Sequence, residues 1–585
     1  MLFTADFETT VDIDDCRVWA WAICEIGNID NIVIGNDIDA FMDYCEKLKG
    51  NNKIMFHNIK FDGEFIISWL LNNGFKWVDH AAVGDEKVFT TLISDKGLFY
   101  SLKITWRYKR KNRHHFTEMQ DSYKVIPFAV EQVAKDFDLP ISKLTIDYRA
   151  KREKGHVLTD AERAYVSNDV KIMALALGKL YAEQLTKMTT AANAMSNYKE
   201  TISKGCYKAW FPEPYYDNDV RQAYRGGWTY LKPEYASCDI GRGIVLDVNS
   251  LYPSVMYFKP LPYSEPRYFD GEYKPVQLYP LYIQLMRCIF ELKPDKLPTI
   301  QLKNNCRFAP TEYLTSSNNE LVTLCLTSVD LKLFFENYNV YCVEYLGGYM
   351  FKAQTGMFKD YIDYWTERKK QATIEGNRAH RTIAKLMLNS LYGKFAVNPI
   401  CRSKIPYLDE NGVVKYRIGP EEERKPLYVP VSAFITAWAR DVTIRAAQAC
   451  YNRFVYADTD SLHLLGEELP DGLNIDPVEL GAWKHESTFS RARFIRAKCY
   501  IEDEIQPDGS SDLKVTCAGM PHISHKPLPD DEYQIRLKGL SSDKSVENGV
   551  TWENFKRGQA YIGKLQPTHV KGGIVLTDID YTIKF

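Results

Sequence analysis

Asp6 and Glu8 stand two residues apart in a segment that reads as a β-strand, so both carboxylates leave one face while Phe7 points into a core. Asn58-x-x-x-Asp62 and Tyr165-x-x-x-Asp169 each set two polar groups four residues apart, which is one face of a helix. Acids brought together from three elements repel one another unless a cation lies among them. Mg²⁺ accepts such oxygen ligands, and two ions about 4 Å apart can activate water and stabilise the leaving oxygen of a phosphodiester. Tyr165 is suited to orient that water. Asp-Phe-Glu alone reads better as the end of a surface strand. Three such segments in this order within one α/β region favour the cation site.

A second group lies further along. The β-branched run Gly243–Val248 reads as a buried strand that carries Asp247 near its end, followed by a turn stopped at Pro253. Phe454–Leu464 reads as strand, turn, strand, with Asp458 and Asp460 at the tip. Phosphoryl transfer needs cations held in place, a positioned 3′-hydroxyl and charge relief on a triphosphate. Asp247 and Asp460 are the candidate ligands, with Val248 and Asp458 beside them. If 378–392 is a helix, Arg378, Arg381, Lys385, Asn389 and Tyr392 share an arc of about 80°, and Ile383 and Met387 lie opposite. A triphosphate fits the cationic end and a base stacks on Tyr392. Taken alone, the same face suits an ordinary amphipathic helix equally well.

These residues need a large scaffold. The chain has 585 residues, 45% hydrophobic and 26% charged, which suits several folded domains and neither disorder nor a membrane span. No signal peptide is expected at MLFTADFETT. Thirteen cysteines without a C-x-x-C pair read as free thiols in a reducing compartment, and His522 and His525 as a solvated loop. The net charge of −2 neither announces nor excludes a nucleic-acid partner. The basic run Arg107 to His115 and the 38 tyrosines suit nucleic acid only in company with other signals.

Mixed strands and helices to about residue 185 make an α/β region, with helices expected over 63–71 and 160–181, the latter opened by Thr159 and Glu162. A polar stretch over 186–203 leads on to the second region. Residues 259–356 read as an inserted module, 358–396 as mostly helical, and 398–426 as a hairpin turning at 409–412. The end, 571–585, alternates Ile579, Tyr581, Ile583 and Phe585 with polar residues, as a half-buried strand does.

The motifs resemble a known family. DFET, HNIKFD and YVSND are similar to the three exonuclease motifs of proofreading polymerases of the DEDD type. DVNSLYP, KLMLNSLYGKF and YADTDS resemble motifs A, B and C of the family B DNA polymerases. Tyr224-Arg225-Gly226-Gly227, Thr436 to Arg440, and Lys498-Cys499-Tyr500 resemble its linking, template-binding and primer-end motifs. The resemblance runs from end to end and is strongest to the protein-primed group of small tailed phages, the phi-twenty-nine type.

It implies a multi-domain α/β and α+β protein. A ribonuclease-H-like DEDD exonuclease domain would occupy 1–187, and a right-hand polymerase domain the rest: palm 188–258 and 427–528, fingers 357–396, thumb 529–585. Two terminal-protein-region inserts would lie at 259–356 and about 400–422, the second within 397–426. Two divalent ions, Mg²⁺ or alternatively Mn²⁺, are implied at each site. Lys143 would sit near the scissile phosphate, and Thr9, His57, Asn58, Phe61, Phe65, Ser122, Tyr123 and Phe128 would grip the frayed strand. Tyr252 would exclude ribonucleotides, and Lys369 and Lys385 would touch the triphosphate. Tyr224, Arg225, Gly226, Gly227, Ser250, Leu251, Thr436 and Arg440 would face DNA, and Lys498 and Tyr500 the primer end. The implied partners are primer-template and single-stranded DNA, dNTPs and a priming terminal protein, with a monomeric enzyme in the cytoplasm of a bacterial host. The first insert would dock the priming protein; the second would encircle downstream DNA. Met55, Tyr123 and Thr516 depart from the family's tyrosine, leucine and lysine, and the stretch 371–380 is longer than usual. A nuclease that only binds DNA with its second half, or a replication scaffold without polymerase activity, are the alternatives. Both complete acid sets argue against them.

Overall fold

The computed structural model describes residues 1–48, 50–110, 113–301, 312–540 and 545–584. Lys111 and Asn112 of the basic run, and Phe585 of the terminal alternation, lie outside the described residues.

The first region is built on an eight-stranded sheet. Its strand Leu2–Thr9 is central, antiparallel to Val18–Glu25 on one side and parallel to Asn51–Phe56 on the other. Alternation then sorts the side chains. Phe3, Ala5 and Phe7 enter a core with Phe41, Phe56 and Phe65, and the Phe7 ring meets Phe41 edge-on at 4.8 Å. Thr4, Asp6 and Glu8 leave toward the helix Asp160–Ala182, where the Thr4 hydroxyl donates to the Val170 carbonyl at 2.8 Å. That helix opens with the expected capping box, Thr159 and Glu162 each bonding the other's backbone N–H.

The second sheet carries the second acid group. Gly243–Val248 lies between Trp483–Arg496 and Ser461–Leu465, both antiparallel to it, with Asp247 opposite Lys484 and Ser461. Ile244, Leu246 and Val248 pack against the helices Leu251–Phe258, Arg378–Phe395 and Val429–Ala449 in the largest core. Val245 faces the other way, with Val455, Tyr456 and Tyr500.

Residues 261–354 hold a separate four-stranded sheet whose long strand Tyr338–Gln354 passes its neighbour so closely at Gly348 that a Cβ would lie 1.9 Å from the Ile283 carbonyl oxygen. Helices Lys359–Ile374 and Arg378–Phe395 form an antiparallel pair joined through Gly376 at φ +68°. Ile400–Leu408 and Val414–Glu423 form the expected hairpin, with Gly412 at φ +73° in its turn. The C-terminal part is a three-stranded sheet of Val546–Glu547, Ala560–Val570 and Gly573–Thr582. Among the described residues every cysteine is a free thiol, and no helix is long and apolar enough to cross a membrane.

Two local expectations gain detail and two need correction. The polar stretch 186–203 contains the helix Thr190–Thr201, capped by Thr189; its Ala194, Met195 and Tyr198 bury one stripe hidden among small polar residues. Pro253 does not stop a turn. It is the third residue of the helix Leu251–Phe258, where its missing N–H costs no intrahelical bond. Asn58 does not share a helix face with Asp62, because it sits in a tight turn at φ +72° and the helix begins at Asp62. The terminal strand is half of a long hairpin with Ala560–Val570.

Candidate active sites

In the first site, ligand oxygens of Asp6, Glu8 and Asp169 lie within 4.8 Å of one another. The central strand supplies the first two and the capped helix the third. Asp62 stands next to Asp6 and accepts the Phe7 backbone N–H at 3.2 Å. Burial, and then the charge of Asp169, pushes the Asp6 carboxyl up to about 7. Burial and the neighbouring Asp6 likewise raise Glu8 and Asp62 far above the usual carboxylate range. Burial raises Asp169 as well, opposed by Lys143, whose Nζ sits 2.6 Å from Asp169 Oδ2. Asp169 Oδ1 is buried with no hydrogen-bond partner among the described residues. An all-oxygen donor set with an orphaned carboxylate oxygen fits a hard divalent cation. Tyr165 borders the acids, its hydroxyl 2.6 Å from that of Tyr148.

Around this site Tyr123 and Asn58 are exposed, and Thr9, His57, Phe61 and Phe128 are half-buried. His57 is held by the Ser122 hydroxyl at 3.0 Å and the Phe128 carbonyl at 2.7 Å. Two expected strand contacts do not reach the surface. Ser122 lies behind His57 and donates to the Phe56 carbonyl, and Phe65 is covered by Gly573, whose missing Cβ makes room for its ring. Met55 is likewise buried. Asp121 escaped the sequence reading: its buried carboxylate accepts the N–H groups of Asn58 and Tyr123 and so shapes the turn. Nothing in one dimension distinguishes it from other acids.

In the second site, the hairpin of Phe454–Asp458 and Ser461–Leu465 turns through Thr459 at φ +64°. The Val248 N–H donates to the Asp460 carbonyl at 2.8 Å, pinning the turn to the strand end that carries Asp247. Burial, and then Asp460, pushes Asp247 up to about 6; burial raises Asp460 too. Lys484 Nζ is 3.6 Å from Asp247 Oδ1, a neighbour visible only once the strands are in register. Asp458 differs. Both its oxygens meet Lys498 Nζ, at 2.8 and 3.0 Å, and Thr229 and Tyr456 donate to it. Tyr456 also accepts the Lys498 N–H at 3.0 Å, while Tyr500 is buried in the floor beneath. Asp247 and Asp460 therefore form the pair left to a cation.

Above them, the helix Arg378–Phe395 buries Ile383 and Met387 and leaves Arg378, Arg381, Lys385 and Asn389 exposed, as their spacing predicts. Lys369, from the preceding helix, is half-buried. Burial and then the charges of Arg381 and Lys385 lower its pKa, which marks a converging cationic cluster. Tyr252 stacks on Tyr392 with centroids 4.1 Å apart and planes at 19°.

Gly227 abuts Thr459 and Gly226 is exposed, while Tyr224 and Ser250 are half-buried. Leu251, Thr436 and Arg440 are buried, so direct DNA contact by their side chains is corrected here. Thr436 donates to the Ser432 carbonyl at 3.0 Å, within its own helix. Arg440, 3% exposed, forks onto Asp330 at 2.9 and 2.8 Å. It also donates to the carbonyls of Arg225 and Gly226 at 3.0 and 2.7 Å. Arg440 thus braces the turn that carries Tyr224 to Gly227.

The raised acids have a stability consequence. The folded-state pKa of Asp6 is lifted from the ordinary 3.8 to about 7, so the folded protein binds more protons between these values. The protonated group favours folding at low pH, and that contribution is lost as pH rises through about 7. In chelator, Asp6→Asn is expected to raise the melting temperature at a pH above this window, with the gain shrinking toward its acid end. Thermal unfolding at the two pH values checks this.

A family model described as DNA polymerase type B, organellar and viral, matches residues 44–475. The DNA polymerases of Bacillus phages M2 and phi29 are each 45% identical to this chain, covering 100% of it and 99% of their own lengths. That of Streptococcus phage Cp-1 is 31% identical, again over 100% of this chain and 98% of its own. Among solved structures, Phi29 DNA polymerase complexed with primer-template DNA and incoming nucleotide substrates superposes with a TM-score of 0.90 at 44% identity, covering 100% of both chains. The same polymerase complexed with single-stranded DNA gives 0.89 at 43%, also covering 100% of both. The chain therefore belongs to the organellar and viral type B DNA polymerases and is a replicative DNA polymerase of the phage kind, with the exonuclease-plus-right-hand architecture that its motifs imply.

Proposed function

We propose that this DNA polymerase also carries a 3′→5′ proofreading exonuclease, and that each activity uses its own pair of divalent ions, Mg²⁺ or Mn²⁺. The observation that carries the reading is the presence of two separate acid groups on two different sheets, each with carboxylates pushed up by burial and mutual repulsion. DNA polymerases of this family work with divalent metal ions, which when bound activate the attacking hydroxyl or water and offset charge on the phosphates. Asp6, Glu8, Asp62 and Asp169 would hold them in one site. In the other, Asp247 and Asp460 would, with Val248 and Asp458 alongside.

At the polymerase site, Lys369, Lys385 and Asn389 grip the triphosphate. Tyr252, fixed by its stack on Tyr392, closes the space a ribose 2′-hydroxyl would need. Lys498 seats the primer end, with buried Tyr500 supporting it from the floor beneath. The template runs over Ser250 and the Tyr224 to Gly227 turn, with Leu251, Arg225, Thr436 and Arg440 supporting from below. At the exonuclease site, Tyr165 orients the water and Lys143 moves from Asp169 to the scissile phosphate. Thr9, His57, Asn58, Phe61, Tyr123 and Phe128 hold the frayed strand.

The proposed domains are exonuclease 1–187, palm 188–258 and 427–528, fingers 357–396 and thumb 529–585, with inserts at 259–356 and about 400–422. The complexes of Phi29 DNA polymerase with primer-template, single-stranded DNA and nucleotides support the same ligands here. Initiation on a terminal protein, action as a monomer in the host cytoplasm, and strand displacement by the second insert complete the reading.

Asp460→Asn is expected to abolish primer extension while trimming of single-stranded DNA persists, and Asp62→Ala to do the reverse, both read on labelled oligonucleotides in gels. Either variant losing both activities while folded would contradict separate sites. Protein priming predicts that a partner protein with a free hydroxyl becomes covalently labelled with dNMP in the presence of this enzyme and Mg²⁺; a phage-encoded partner that stays unlabelled would reject it.

A further inference from the structure

Glu64 lies two residues beyond Asp62 on the helix Asp62–Asn72, and it is only 5% exposed. A buried carboxylate must find donors. Its one side-chain donor among the described residues and a second polar neighbour come from two distant parts of the chain. The Tyr416 hydroxyl reaches both carboxylate oxygens at 2.8 Å from the hairpin strand Val414–Glu423. His569 Nε2, on the C-terminal strand Ala560–Val570, lies 3.3 Å from Glu64 Oε2 without forming a hydrogen bond. The rings of Tyr416 and His569 meet edge-on at 6.1 Å. One carboxylate thus joins the exonuclease domain, the second insert and the thumb.

The surroundings support a built junction. Val413 bridges Lys571 through the backbone, directly tying the hairpin turn to the thumb. Phe65, next to Glu64, fills the space over Gly573. Val414 and Ile574 are buried in the exonuclease core itself. The apolar contacts hold the three parts together without direction, whereas the carboxylate fixes where the hairpin sits on the helix, and the Val413–Lys571 bridge carries that placement to the thumb.

We propose that Glu64 is a positioning residue for processive synthesis: it clips the second insert, and through it the thumb, to the exonuclease helix and so keeps closed the ring through which DNA runs. This rests on the reading that the hairpin encircles DNA. Glu64 touches neither reacting atoms nor the incoming nucleotide. Loosening the clip therefore lets DNA escape without slowing each chemical step.

The test is product length per binding event on a strand-displacing template, with a DNA trap added at the start. Single-nucleotide insertion kinetics and trimming of a short single strand are measured beside it. Glu64→Ala and Tyr416→Phe are expected to shorten the products by about three-fold or more, while kcat and KM for single insertion and the trimming rate stay within about two-fold. The double variant should be no worse than Glu64→Ala alone, and Glu64→Gln, which still accepts from Tyr416, should recover most of the length. A chain lacking 400–422 is the reference arm. If that deletion leaves product length unchanged, the encircling role of the hairpin fails. If the deletion shortens products but Glu64→Ala and Tyr416→Phe do not, the clip fails and the encircling role stands. Single insertion falling in proportion to length would also overturn the proposal, since Glu64 would then be part of the general scaffold. Should Glu64→Ala not fold, Tyr416→Phe and Glu64→Gln carry the same test.

Discussion

Buried carboxylates repel, and both sites of this polymerase are built to hold that repulsion in place. Desolvation already disfavours a lone charge in each site, and a second acid nearby adds to the cost. The fold accepts this because the acids sit on its most rigid parts. Asp6 and Glu8 ride a central strand paired on both sides, and Asp247 ends another. Such strands cannot bend away to relieve the repulsion, so relief has to come from a cation. Lysines stand in at the margins: Lys143 on Asp169, Lys484 near Asp247 and Lys498 on Asp458. Each reduces the local charge, yet Asp6 and Glu8 and the Asp247–Asp460 pair remain strained.

The rest of the molecule positions polymer around these two points. The cationic helix pair brings Lys369, Arg381 and Lys385 together, and Tyr252 stacks on Tyr392 beside them. Arg440 and Asp330 show how the inserted module is tied to the polymerase core, through a buried ion pair that also holds the backbone of the Tyr224 to Gly227 turn. Glu64 makes a comparable tie on the exonuclease side. In both cases a polar side chain is buried where three parts of the chain meet, and its hydrogen bonds fix the placement of at least one of them.

Much of this was legible in one dimension, and the limits have physical causes. Alternation around Phe7 and the helical spacing from Arg378 to Tyr392 gave correct faces, because local geometry alone decides them. Thr159 with Glu162 gave the start of a long helix for the same reason. Residues that act through tertiary contacts were missed or misassigned. Arg440, Thr436, Ser122 and Phe65 belong to motifs that suggested DNA contact, but burial is set by what packs over them. Asp121, Lys484, Asp330 and Glu64 carry no motif at all; their partners lie far along the chain or across a strand register. Asn58 and Pro253 show the remaining kind of miss, in which spacing suggested a helix face or a stop that backbone conformation did not follow.

The central claim is that each acid group exists to hold divalent ions. Anomalous diffraction from crystals of the protein equilibrated with Mn²⁺ tests it without relying on activity. The account predicts anomalous peaks among Asp6, Glu8 and Asp169 and between Asp247 and Asp460, with Lys143 released from Asp169. Saturating Mn²⁺ with no peak in either place, and Lys143 still bound to Asp169, would contradict it.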